Sequence, residues 1–150
     1  GFPFHHIDAA GKSDWSHVSG ELERMGLSSP LLDVRQYIYD MAVVMAAADL
    51  VISRAGASTL SEVTALGMPT ILVPSPYVVA NHQEKNARLL ESHGGAVVLT
   101  EEQATGEALY ESTKDILQHS EKRRSMAKAM AELGIPDATE RIYNTLMALL

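Results

Sequence analysis

The sequence predicts an α/β protein built on a doubly wound parallel sheet. Short apolar runs alternate with stretches of helical spacing along the whole chain. The runs are apolar throughout, as strands buried on both faces are. Glycine, or glycine followed by proline, marks where several of the helices should stop.

In order, Phe2 to Ala9 reads as a first strand. Asp14 to Met25 has helical spacing, with Trp15, Val18, Leu22 and Met25 on one side, and Gly26 ends it. Leu31 to Val34 is a second strand. Asp40 can cap a short helix from Met41 to Ala48. Leu50 to Ser53 is a third strand, and a small turn leads from it into a helix over Ser58 to Leu66. Gly67 and Pro69 close that helix. Thr70 to Val73 is a fourth strand, followed by the stiff loop Pro74-Ser75-Pro76-Tyr77. Asn81 to Ser92 reads as a helix and Ala96 to Leu99 as a fifth strand. Three helices complete the chain, over Thr105 to His119, Glu121 to Leu133 and Pro136 to Leu150.

The bulk numbers narrow the function classes. At 150 residues and 46% apolar, the chain can build one domain with a real core. A net charge of −7 disfavours nucleic acid as a partner, because neutralising phosphates needs a basic face. With no cysteine there are no disulfides and no thiol catalysis. No apolar run approaches the length of a membrane span. The sequence opens on Gly1, close to an apolar segment, which suggests an excised piece of a longer protein.

In sheets of this kind, ligands bind beyond the carboxyl ends of the strands. The turn Arg54-Ala55-Gly56-Ala57-Ser58-Thr59-Leu60-Ser61-Glu62 lies there. N–H groups near Ala57, Ser58 and Thr59 would face a diphosphate at a helix start. Glu62, about one turn on, would accept from a diol. The same residues also suit a plain strand-to-helix turn with Ser58 as the cap. A second polar cluster, Asn81-His82-Gln83-Glu84-Lys85-Asn86, follows the fourth strand. His82 and Gln83 could bond sugar hydroxyls, and a solvated first turn capped by Asn81 explains the same residues. Tyr37-Ile38-Tyr39-Asp40-Met41 follows the second strand. A base could lie on Tyr37 and read the Ile38 backbone, or both rings could pack in the core.

No histidine pair has the spacing of a zinc helix, and no Asp-x-Asp pair stands ready to hold a metal-bound diphosphate, so phosphate charge would be met by N–H groups, a helix end and, as a further candidate, Arg54. No general base stands out. Lys114, Lys122, Arg123, Arg124 and Lys128 are interleaved with acids, as on a solvated helix face.

Taken as an ordered set, Tyr37 to Met41, Ala47 to Glu62, Gly67 to Pro74 and Asn81 to Ala87 resemble the MurG family. These are the bacterial UDP-N-acetylglucosamine transferases that complete lipid II. The resemblance implies the Rossmann-like C-terminal half of a GT-B glycosyltransferase, with residues 1–150 as one nucleotide-sugar-binding domain. It matches Ile38 to the uracil-reading backbone. It matches Ala57, Ser58, Thr59 and Glu62 to the phosphate turn and the ribose-binding glutamate. His82 and Gln83 match two contacts to N-acetylglucosamine, although some members carry Gln-Gln there. The family's Gly-Gly-Ser phosphate loop precedes the strand that corresponds to Phe2 to Ala9.

The implied function is donor binding in an inverting, metal-independent transfer of N-acetylglucosamine to lipid I. Neither a cofactor nor a metal is expected. The acceptor groove, the base and the membrane contact would belong to an N-terminal domain absent here, leaving no catalytic residue in this chain. The whole enzyme would work in the bacterial cytoplasm, at the cytoplasmic face of the membrane. Two alternatives fit a UDP-sugar site as well: an enzyme resembling the 2-epimerases, and the binding subunit of a split transferase.

Overall fold

The alternating pattern is realised as five strands and seven α-helices among residues 3–149, which the computed structural model describes. The chain divides into two units, residues 1–44 and 45–150.

The first unit holds β1 (His6–Ala9) and β2 (Leu32–Arg35), paired in parallel with His6 opposite Leu32 and Ala9 opposite Arg35. Helix α1 (Trp15–Met25) connects them and ends on Gly26, whose left-handed φ of 62° turns its N–H back onto the last carbonyls. The expected apolar side of α1 is only half covered: Trp15, Val18 and Leu22 are half-buried and Met25 is exposed. Strand β1 is shorter than the Phe2 to Ala9 run, and Phe2 lies outside the described residues. Helix α2 (Met41–Ala47) begins with the Asp40 carbonyl accepting from the N–H groups of Val43 and Val44.

The second unit is built on β3 (Val51–Ser53), β4 (Thr70–Leu72) and β5 (Ala96–Val98), parallel in that order. Their register aligns Ile52, Ile71 and Val97 on one face and Ser53, Leu72 and Val98 on the other. Leu72 and Val98 pack with Leu60 and Val63 of α3 (Ala57–Ala65), Ala87 and Leu90 of α4 (His82–Ser92), and Met130. Ile71 and Val97 pack with Ile116 of α5 (Gly106–Gln118) and Met126. Met126 and Met130 both come from α6 (Ser120–Leu133), and α7 (Ala138–Met147) follows. Helices therefore cover both faces of this ladder, as a doubly wound sheet requires.

Burial on both faces holds for β4, whose three residues are all buried, but not for every strand. Ile52 on β3 is 47% exposed and Ile7 on β1 is 41% exposed. Each lies on a strand with a hydrogen-bonded neighbour on one side only, so fewer side chains cover it.

Helix α3 is backed by α6 through two close approaches. A Cβ at Gly67, where φ is +63°, would stand 3.3 Å from the Ala127 carbonyl oxygen. One at Gly134 would stand 2.5 Å from the carbonyl oxygen of Thr64, closer than any side chain tolerates.

Candidate functional site

The turn after β3 delivers a helix start with its donors open. Gly56 occupies the capping position in extended geometry, and no side chain caps the helix. This corrects the reading of Ser58 as cap: Ser58 sits inside the first turn. The first N–H to find a helical partner is that of Leu60, on the Gly56 carbonyl at 3.0 Å. Those of Ala57, Ser58 and Thr59 have no acceptor within the helix. The positive end of the helix dipole adds to them, so these N–H groups present partial positive charge of their own. Ala57 and Ser58 are exposed and Thr59 is half-buried. Glu62 is exposed and one turn beyond Ser58, which puts the two on the same side of α3.

The polar cluster after β4 sits on a constrained backbone. Ala80 and Asn81 are both left-handed, with φ of 54° and 51°. That geometry is costly for a non-glycine residue and is tolerated best by asparagine. Asn81 occupies the capping position of α4 but makes no side-chain capping bond; its side-chain amide donates to Glu84 Oε2 at 2.6 Å. His82 Nδ1 lies 2.8 Å from the Val79 carbonyl oxygen. A carbonyl only accepts, so Nδ1 carries the proton, and in the neutral ring Nε2 is left as an acceptor. Gln83 Oε1 accepts from the Ser75 N–H at 2.9 Å. Its amide hydrogens remain, so Gln83 has donors for a ligand.

A cavity of about 280 Å³ between α3 and α4 is lined by Ala57, Ser61, Asn86 and Leu89, among others. Thr59, Glu62, His82 and Gln83 are not in its lining. Asn86, half-buried, belongs to the polar cluster named from the sequence but was given no role there. The signal was available, since Asn86 is one helical turn from His82 and opposite an α3 residue already named.

Ile38 lies in the first unit, in the loop after β2, at 6% exposure. Arg35 braces that loop: its guanidinium donates to Asp33, with Nη2 to Oδ2 at 2.6 Å, and approaches Asp40 at 3.7 Å. The Arg35 hydrogen bond holds the Asp33 carboxyl below the usual carboxylate range. Tyr37 and Tyr39 are not core residues. Both are exposed, and their rings meet edge to face at 4.9 Å. The intervening Ile38 takes the inward position instead.

Among the described residues, no group of three or more His, Asp or Glu side chains is placed to hold a metal ion. No helix there is long and apolar enough to cross a membrane. Lys114, Lys122, Arg124 and Lys128 each lie beside an acid, at Glu111, Asp115, Glu121 and Glu132, as a solvated face would have them.

The glycosyltransferase family 28 C-terminal domain matches residues 3–142. A UDP-N-acetylglucosamine–N-acetylmuramyl-(pentapeptide) pyrophosphoryl-undecaprenol N-acetylglucosamine transferase of Acetivibrio thermocellus is 49% identical over 93% of the chain. The Bacillus subtilis protein of the same name is 39% identical over 91%. In each case the chain spans 37% of the relative's length. The crystal structure of Acinetobacter baumannii MurG superposes with a TM-score of 0.80 at 27% identity, covering 95% of this chain and 42% of that one. The kitacinnamycin glycosyltransferase, 19% identical, shares the fold with a TM-score of 0.65, over 93% of this chain and 34% of its own.

Proposed function

Because this chain belongs to the glycosyltransferase family 28 C-terminal domain family, we propose that it is the donor-binding half of an N-acetylglucosamine transferase. It binds UDP-N-acetylglucosamine, and the whole protein passes the sugar to lipid I. The observation that carries this reading is the uncapped start of α3 beyond β3, with Glu62 one turn away. A nucleoside diphosphate needs open donors beside a carboxylate that accepts from a ribose diol. In this reading Ala57, Ser58 and Thr59 receive the diphosphate and Glu62 the ribose. The Ile38 backbone reads uracil, and His82 and Gln83 meet the sugar, one accepting and one donating.

Chemically, the acceptor hydroxyl attacks the anomeric carbon with inversion as UDP departs. Negative charge grows on the leaving diphosphate, and preorganised N–H groups aimed there lower the barrier. Those donors take over the work that a metal does elsewhere, so donor binding proceeds without a divalent cation. In this reading the base and the acceptor groove are supplied from outside this chain, which spans 37% of the Acetivibrio thermocellus relative's length. The relatives are named for a pyrophosphoryl-undecaprenol acceptor, and in this reading the whole enzyme works in the bacterial cytoplasm, at the cytoplasmic face of the membrane.

Titration calorimetry with UDP, UDP-N-acetylglucosamine, ADP and GDP tests the reading. The uridine nucleotides bind more tightly. Equal affinity for uridine and purine diphosphates removes the uracil assignment, and no binding of any diphosphate removes the site.

A further inference from the structure

Arg54 is the first residue beyond β3, and its guanidinium reaches past the end of β4 to the loop that follows β5. Nη1 donates to the carbonyl of Val73, one residue past β4, at 3.2 Å. Nη1 also donates to Oε2 of Glu101, and Nη2 to Oε1 at 3.2 Å. Glu101 lies just beyond β5. One side chain thus ties together the carboxyl ends of all three strands of the second unit. Ser53 Oγ donates to the carbonyl of Arg54 itself at 3.1 Å, fixing the backbone at the same point. Ala55, the next residue, is fully buried, and Gly56 then opens α3.

A cation beside a diphosphate site has two possible duties, and they make opposite demands on Glu101. If Arg54 binds phosphate, a carboxylate already neutralising it is a competitor. If Arg54 holds the turn, the carboxylate is its anchor. The fork geometry favours the anchor, because Glu101 takes both terminal nitrogens at once and so fixes the plane of the guanidinium. The Arg54 hydrogen bond also keeps the Glu101 carboxyl below the usual carboxylate range, so the pair stays charged.

We propose that Arg54 and Glu101 are positioning residues that hold the Ala55-Gly56 turn, and with it the open N–H groups of α3, in place for the donor diphosphate, and that Arg54 does not itself bind phosphate. This rests on the donor-site reading above. The pair is half exposed, and such pairs contribute little to global stability, so variants of it should fold.

Calorimetric titration of UDP and of uridine into the wild-type chain, Glu101→Gln and Arg54→Lys separates the two duties. In a clamp, Glu101→Gln weakens UDP about three- to tenfold and leaves uridine, which has no diphosphate, within about twofold. Arg54→Lys loses the fork and does the same, and the double variant is no weaker than either single one. Tighter UDP binding by Glu101→Gln means that a phosphate ligand has been freed, and overturns the proposal; unchanged UDP affinity overturns it too. If the wild-type chain binds no UDP, the donor-site reading fails, and hydrogen exchange then reads the clamp without ligand. The Leu60 amide, bonded to Gly56, should exchange several-fold faster in Glu101→Gln while that of Ile71 is unchanged. Equal exchange at Leu60 overturns the clamp.

Discussion

The two units carry different amounts of core under similar local patterns. Among the described residues of the first, Ile38 is the one buried apolar side chain, and both strands keep half-exposed or exposed positions. In the second, Val63, Ile71, Leu72, Ile116 and Met130 have no exposed surface. Both units use parallel strands and intervening helices, so topology alone does not set rigidity. What differs is burial. The second unit covers its ladder with helices on both faces, and the proposed diphosphate turn grows out of that ladder. The proposed base-reading loop is braced chiefly by Arg35 and its two carboxylates.

The largest test of this contrast removes matched side chains. Ile71→Ala should cost about 2–5 kcal/mol, because it empties a closed core. Ile7→Ala, at 41% exposure, should cost about 1 kcal/mol or less. Denaturant titration measures both, and equal costs would erase the distinction between the units.

Ligand affinity gives the next test. Glu62→Ala should weaken UDP by about 1.5–3 kcal/mol, the worth of a charged hydrogen bond, with the melting temperature unchanged because Glu62 is exposed. An unaltered affinity in a cooperatively melting variant would return Glu62 to a helix-dipole role.

Acid should act weakly on both units. Asp33 beside Arg35 in the first, and Asp115 beside Lys122 in the second, have folded pKa values below their usual ones. A depressed carboxylate contributes stability above its unfolded pKa and loses it as pH falls through the folded one. Stability measured downward from about pH 5 should therefore decline slightly. A rise on acidification would contradict the pairing. The smallest expected effect is none: EDTA should leave UDP affinity unchanged, and a clear loss on chelation would bring a metal back into the donor site.

Much of the second unit was legible because its periodicities are clean. The limits of β4 and α3 fall within a residue of the apolar run Thr70 to Val73 and of the helical stretch Ser58 to Leu66. The cap was misjudged because Ser58 is a good capping type, whereas Gly56 satisfies the backbone geometry without offering a side chain. The left-handed pair Ala80-Asn81 was illegible, since alanine carries no signal for that conformation. Partial exposure of Ile52 and Ile7 was equally hidden, because apolar runs report what can be buried and not how many neighbours arrive to bury it. From the sequence Arg54 was a candidate to meet phosphate charge, and its partner Glu101, which gives it a different duty, is too distant in sequence for spacing to reveal.

The close contact between Gly134 and Thr64 bears on how the protein is made. The whole α3 segment, its ligand-facing turn included, is synthesised first, and the surface that backs its far end follows roughly 70 residues later. At about 5–20 residues per second, that leaves several seconds in which α3 is emerged but unsupported. During that interval the nascent chain exposes Leu60 and Val63, side chains that the finished fold hides. Chaperone engagement should therefore peak between the emergence of α3 and that of α6, and a stalled chain ending before Ser120 should stay chaperone-bound.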